Sequence, residues 1–326
     1  MSTGATDTQD AGWRSWLRLS PPVIALLLGV GLFFAGGLIR PNFVNPDQAL
    51  NIVRLAAFLG IIAAGQTLVI IAGGEGIDLS VGAVLTLGAI LTFMVSGGSS
   101  AMLPIAVLTA LGAGMVIGVL NGLGIVFLGI PPLVMTLGMT GVVQGAILAI
   151  TQGDIPGSTP PILATLISGR LLGIPGVIYV WVMLAALMWF NLARTPYGRY
   201  LFAVGVNRRT ARLSGVNVAL VVTLTYGLSG LLAAFGGSVL LGFTQRVFLD
   251  LGSSYLFPSI DAVVVGGTVL AGGRGSYWGT MAGALVLTVI ESLLRALQLG
   301  EAYQLMVFGG ILVLLLSVYG RQRRSE

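Results

Sequence analysis

The sequence predicts an all-α polytopic membrane protein of about ten transmembrane helices with both termini on the cytoplasmic side. Three observations carry that prediction. Hydrophobic residues make up 56% of the 326 positions and charged residues only 8%, against roughly 25% charged in a soluble domain. Apolar runs of about 20 residues recur along the chain, the length a helix needs to cross ~30 Å of hydrocarbon. Glycine occurs 49 times, about twice its usual ~7%, which suits helices packed backbone to backbone in lipid.

The first apolar run, 21–39, follows Arg14 and Arg18. It is longer than the ~7–15 residues of a signal-peptide core and shows no convincing small-residue cleavage site, so it is expected to remain as an uncleaved helix. Runs at 49–72, 80–96, 102–128, 132–150, 176–193, 218–242, 257–272, 276–297 and 302–319 supply the remaining spans. Within 102–128, Gly114, Gly118 and Gly122 form a small-residue ladder at helical spacing, and Gly279 with Gly283 form another in 276–297. Such ladders let two helix backbones approach. Residues 1–20 and 320–326 are then short cytoplasmic tails flanking a membrane domain at 21–319.

Every one of the sixteen basic residues is arginine. With the N-terminus inside, Arg14, Arg18, Arg194, Arg199, Arg208, Arg209, Arg212, Arg274, Arg321, Arg323 and Arg324 fall on the cytoplasmic side. Arg40, Arg54, Arg170, Arg246 and Arg295 fall at or near the outer side, an asymmetry that follows the positive-inside rule. The outer connections 40–48, 152–175 and 244–257 are the longer, irregular ones. Pro41, Pro46, Pro156, Pro160, Pro161 and Pro175 stiffen them, and 162–168 can form a short helix along the membrane surface. Such a surface suits an extracytoplasmic docking partner and equally suits ordinary loops.

The missing residue types exclude whole classes of chemistry. With no lysine there is no Walker-type P-loop, so any ATP hydrolysis must come from another chain. With no cysteine or histidine there is no thiol nucleophile, imidazole base or ordinary zinc site. The net charge of +5 sits mainly in loops and tails, where it reports topology and implies no nucleic-acid partner.

Three stretches carry the functional expectations. Residues 194–217 pack five arginines and no acid between two apolar runs. There Asn207 reads as an N-cap, Arg208 to Ser214 as about two helical turns and Gly215 as the stop. Arg199, Asn207, Arg208, Arg209, Arg212, Ser214 and Gly215 are either gripped by a cytoplasmic partner or serve only as a topology anchor. The second and third stretches are the Ala-Gly-Gly-x-Gly segments at 72–76 and 271–275, 199 positions apart and on the same side of the membrane. Both interrupt helices where unwound backbone can line a cavity. Just past the first, Asp78 either caps the next span by accepting from the Ser80 or Val81 amide or faces a solute. Glu291 and Arg295 are spaced for an intrahelical ion pair.

Ile77-Asp78-Leu79-Ser80-Val81-Gly82-Ala83, Tyr197-Gly198-Arg199 with Ala203 to Asn207 and Ala211 to Gly215, and Val263 to Thr268 with Gly272, Gly273, Gly275, Gly279 and Thr280 together resemble the ribose/xylose-type permeases of bacterial ABC importers. The resemblance runs from about residue 21 to 319. It implies a non-catalytic transmembrane subunit of the inner membrane. It also implies a second permease copy or paralogue, an extracytoplasmic solute-binding protein, and a cytoplasmic ATPase that supplies ATP and Mg chemistry and seats the 207–215 coupling helix. No cofactor or metal is implied in this chain. Two departures from the family pattern, Glu75-Gly76 placed before Ile77 and acid at Asp261, bear on the cargo and leave the transport class intact.

On that reading the cargo is a small hydroxylated solute, a monosaccharide in the first instance, which needs weak polar contacts along its path. The path candidates are Gln66, Asp78, Ser80, Asn121, Thr136, Gln144, Tyr226, Ser229 and Asp261. Most can equally serve as helix-to-helix hydrogen bonds worth about 1 kcal/mol, and Asp261 as a cap or ion-pair partner. Phe58, Phe235 and Phe243 can stack a sugar face or simply pack. The competing expectations are an ion-coupled secondary transporter and the same ABC machine importing a nucleoside, polyol or amino-acid-like solute.

Overall fold

The computed structural model of the chain describes residues 20–300 and positions 302–304, 306, 307, 309, 310 and 313. Residues 1–19 and 314–326, with their arginines, lie outside the described residues. The expected span at 302–319 is described only at those eight positions, all of them helical.

Twelve α-helices cover most of residues 20–300: α1 (Pro21–Ile39), α2 (Pro46–Ile71), α3 (Val81–Ser96), α4 (Leu103–Phe127), α5 (Pro132–Thr151), α6 (Pro161–Ser168), α7 (Gly176–Arg194), α8 (Pro196–Val206), α9 (Arg208–Leu213), α10 (Val218–Thr244), α11 (Leu256–Val265) and α12 (Tyr277–Ala296). Between α6 and α7 a two-residue hairpin pairs β1 (Arg170–Leu171) with β2 (Ile174–Pro175). Among the described residues seven helices, α1, α2, α4, α5, α7, α10 and α12, are long and apolar enough to cross a membrane.

The helix ends follow from local chemistry. Proline occupies the first turn of α1, α2, α4, α5, α6 and α8, where its missing N–H costs nothing. Asn45, Asn217 and Ser276 cap α2, α10 and α12 by accepting from the amides of Gln48, Leu220 and Gly279.

In two places the structure corrects the element boundaries. The run 257–272 holds only α11, which stops at Val265. Gly267, Gly272 and Gly273 then turn with φ of +88°, +94° and +72°, so the chain unwinds although its hydropathy stays high. The basic stretch holds two helices, because Thr195 Oγ1 accepts from the Gly198 amide to start α8 ahead of α9.

The core is built around α2 and α10, both buried along most of their length. Helix α3 packs against both α10 and α4, α12 packs on α1, α2 and α11, and α1 and α5 lie at the periphery. Both glycine ladders mark the close crossings. A Cβ at Gly118 would lie 2.0 Å from the Tyr226 carbonyl oxygen, and one at Gly114 would lie 2.3 Å from that of Gly230, so α4 and α10 touch backbone to backbone. Likewise a Cβ at Gly279 or Gly283 would meet the carbonyl oxygen of Gly266 or Ala262, at 2.2 and 2.0 Å, bringing α12 onto α11. Buried hydroxyl pairs add polar links, Thr67 to Thr280 between α2 and α12 and Thr92 to Ser238 between α3 and α10, each at 2.8 Å. The peripheral helices expose Leu26, Leu27, Val134 and Leu137, as lipid-facing surfaces do.

Gly118→Ala is therefore expected to lower stability by more than about 1 kcal/mol through overpacking. Gly112→Ala, on the same helix with open space around it, is expected to be neutral or stabilising within about 1 kcal/mol. Thermal midpoints of the two purified variants in detergent check this, and equal midpoints would contradict the close crossing.

Candidate functional site

After Ile71 the chain leaves the α-helix until Val81. Gly73, Gly74 and Glu75 take three successive left-handed conformations, with φ of +67°, +67° and +59°. The two glycines adopt these without penalty, whereas Glu75 points its side chain into open space. The turn sends residues 77–80 back among the helices, where Asp78 and Ser80 are each 1% exposed.

Backbone that is not helical in a membrane protein must find its partners within the protein. Gln66 of α2 holds Asp78 on both sides, donating from Nε2 to its carbonyl oxygen at 2.6 Å and accepting from its amide at 3.3 Å. Thr136 Oγ1 of α5 accepts from the Leu79 amide at 3.1 Å, and Thr140 Oγ1, one turn on, donates to the Leu79 carbonyl oxygen at 3.1 Å. The Asp78 carboxylate is equally enclosed. Its Oδ1 accepts from the Ser80 amide at 3.0 Å and the Ser80 hydroxyl at 2.6 Å, and its Oδ2 accepts from the Ser229 hydroxyl of α10 at 2.8 Å. Asn121 of α4 completes the cluster by donating from Nδ2 to Ser80 Oγ at 3.0 Å. A carboxylate in this setting is costly without donors, and here it has three.

Six of the nine path candidates, Gln66, Asp78, Ser80, Asn121, Thr136 and Ser229, thus converge on one loop, and each is at most 1% exposed. The Ser80 amide is one of the two donors expected for Asp78. The other three candidates stand apart from this network. Gln144 is exposed on α5. Tyr226 is buried in α10 with no hydrogen-bond partner for its hydroxyl.

Asp261 is buried in the middle of α11, and neither carboxylate oxygen has a hydrogen-bond partner. That corrects the expectation of a cap or an ion pair: α11 starts at Leu256, so the amides near Asp261 are already spent within the helix. Phe58 and Phe243 pack against each other with ring centroids 4.9 Å apart and planes tilted by 38°, the Arg54 guanidinium lies 5.1 Å from the Phe243 ring, and Phe58 is buried as core. The Glu291–Arg295 ion pair forms on α12. Thr140 was not among the candidates. Its spacing of four from Thr136, which puts both on one helix face, is the signal that could have found it.

The basic helices form a second surface. Asn207 Oδ1 accepts from the Thr210 amide at 3.0 Å to start α9, and Gly215 turns with φ +83° just beyond its end. Ala211 is buried, whereas Arg199, Arg209, Arg212 and Ser214 are exposed together with Val206 and Leu213, which is 82% exposed. Arg208 differs. It is half-buried, and its Nη2 donates to the Gly73 carbonyl oxygen at 3.0 Å.

A family model described as branched-chain amino acid transport system / permease component matches residues 48–316. The chain belongs to this permease family. Among similar proteins, the ribose import permease protein of Bacillus subtilis (strain 168) is 37% identical over 88% of this chain and 88% of its own length. The fructose import permease protein of Rhizobium meliloti is 31% identical over 94% and 87%. The galactofuranose transporter permease protein of Escherichia coli (strain K12) is 37% identical over 83% and 81%. No solved structure gives a significant match. The permease is accordingly a polytopic membrane transport component, and the loop at 72–80 is the polar centre of its helix bundle.

Removing the carboxylate strands three buried donors, each costing about 1–3 kcal/mol when unsatisfied. Asp78→Ala is expected to lower the thermal midpoint sharply or prevent accumulation of folded permease, whereas Gln144→Ala stays within about 0.5 kcal/mol of wild type. Equal thermal midpoints for Asp78→Ala and wild type would contradict the role given to the network.

Proposed function

We propose that this permease is the transmembrane subunit of a binding-protein-dependent ABC importer in a bacterial inner membrane, and that its cargo is a neutral monosaccharide. The observation that carries the cargo is that permeases of ribose, fructose and galactofuranose align with it over most of its length. ATP and Mg are handled by a separate ATPase subunit, because this chain has no lysine for a P-loop. The permease acts in pairs, with a second copy or a paralogue, and receives cargo from an extracytoplasmic binding protein.

The exposed surface of α8 and α9 supports the ATPase reading. A bare topology anchor needs only charge, yet this surface also presents Leu213 and Val206 to solvent beside Arg199, Arg209 and Arg212. Exposed apolar side chains ringed by arginine are what a protein partner buries. Closure of the ATPase pair then shifts α9, and the bundle exchanges inward- and outward-facing states.

An ion-coupled transporter needs a carboxylate free to take and release a cation or proton. Asp78 is poorly suited, since both its oxygens already accept from serine hydroxyls. Of the two buried carboxylates among the described residues, Asp261 is the one with open acceptors, and in the importer reading it is a position from which a solute hydroxyl can be held once the bundle opens. An amino-acid cargo is the second reading, on the strength of the description of the family model.

The deciding experiment reconstitutes the permease with its ATPase and binding protein in proteoliposomes. Uptake of a labelled pentose or hexose is expected to require ATP and to survive ionophores that dissipate ion gradients. Uptake that follows an ion gradient without the ATPase would overturn the importer reading, and capture of amino acids but no sugar by the binding protein would overturn the cargo.

A further inference from the structure

We propose that Arg208 is a positioning residue that ties α9 to the Asp78 loop, so that a displacement of α9 is passed to residues 72–80 through the hydrogen bond from its side chain to a loop carbonyl. This rests on the importer reading.

The two Ala-Gly-Gly-x-Gly segments, far apart in sequence, meet in space. The Gly273 amide donates to the Ile71 carbonyl oxygen at 2.9 Å. A Cβ added at Gly272 would lie 2.4 Å from Gly73 Cα, and one at Gly73 would lie 2.9 Å from the carbonyl oxygens of both Ala271 and Gly205. Gly205, near the end of α8, is the third member. A Cβ there would lie 2.0 Å from the Ile71 carbonyl oxygen and 2.5 Å from the Gly273 nitrogen. Three backbone segments from three parts of the chain are thus stacked with no side chain between them.

Arg208, the first residue of α9, reaches into this junction. Its Nη2 donates to the Gly73 carbonyl oxygen, and the guanidinium lies so close over Gly74 that a Cβ there would sit 2.5 Å from Cζ. The arginines that follow it on α9, Arg209 and Arg212, are exposed. The sequence gives α9 three arginines, and the fold turns one of them inward.

On the far side of Gly73 the loop is fastened to α2 by Gln66, to α5 by Thr136 and Thr140, and to α10 by Ser229. Asn121 adds α4 through Ser80, so a shift at α9 reaches four helices of the bundle through a segment of only a few residues. The tether is one charge-assisted hydrogen bond to a carbonyl, and Arg208 Nε is buried without an acceptor. Such a contact is strong enough to carry a shift of α9 into the loop.

The test uses the complete importer in proteoliposomes, comparing wild type, Arg208→Gln and Arg208→Lys. Solute taken up per ATP hydrolysed is expected to fall about tenfold in Arg208→Gln, a coupling loss in the usual range for linked sites. ATP hydrolysis should continue, and Arg208→Lys should recover most of the ratio because it keeps a cationic donor. An unchanged ratio in Arg208→Gln, or loss in Arg208→Lys equal to that in Arg208→Gln, would overturn the proposal. Wild-type uptake that needs no ATP would instead remove the importer reading beneath it.

A second measurement keeps Arg208 intact and so does not depend on the Arg208 variants folding, its labels at 75 and 209 being on exposed positions. Spin labels on cysteines placed at Glu75 and Arg209 should hold a constant separation between nucleotide-free and ATP-bound states, while the distance from 209 to a label at Leu108 on α4 changes. A 75-to-209 distance that changes with nucleotide, or a 209-to-108 distance that does not, would count against the tether.

Discussion

Lipid offers no hydrogen bonds, so a chain that leaves the helix within a membrane protein must bring its own donors and acceptors. That constraint organises this structure around residues 72–80. The loop draws Gln66 from α2, Asn121 from α4, Thr136 and Thr140 from α5, and Ser229 from α10. Each single bond is modest, on the order of 1 kcal/mol net, but each donor or acceptor left unmet costs more. The network therefore specifies where four helices sit around the loop more strongly than it adds to overall stability.

Glycine supplies the complementary constraint. Polar side chains as short as serine and threonine can span between helices only if the backbones are close. The ladder at Gly114 and Gly118 sets α4 against α10 at that separation, which places Asn121 on α4 and Ser229 on α10 around the same Asp78–Ser80 unit. Close backbone contact and buried hydrogen bonding are thus one device, and the stacked glycines near Arg208 repeat it at the end of α8.

Much of this was legible in the sequence because its signals are local. Asn207 to Gly215 announces a short capped helix through residue types a few positions apart. The glycine ladders are visible because helical spacing is short. Asp78 accepting from the Ser80 amide is a two-residue relation. What escaped depends on folding in three dimensions. Hydropathy cannot register that Gly267, Gly272 and Gly273 take left-handed angles, so 257–272 read as one span. Thr195 and Pro196 start α8, but its buried side, Leu201 and Val204, is too short to stand out in a basic stretch. The polar residues of the spans stand out as a group in the sequence. Their convergence on one loop, and the inward turn of Arg208, come from positions up to 151 residues apart in sequence. A cap or ion pair for Asp261 fits a helix running over 257–272, whereas in the shorter α11 the residue falls mid-helix.

Amide hydrogen exchange across residues 72–83 in the purified wild-type permease tests the central claim most directly, because a loop held by the protein differs from a merely irregular one in protection. The amides of Asp78, Leu79 and Ser80, each with a side-chain acceptor in the network, should exchange as slowly as those in the interior of α2. Exchange of those three amides as fast as in the connection at 153–159 would contradict the account.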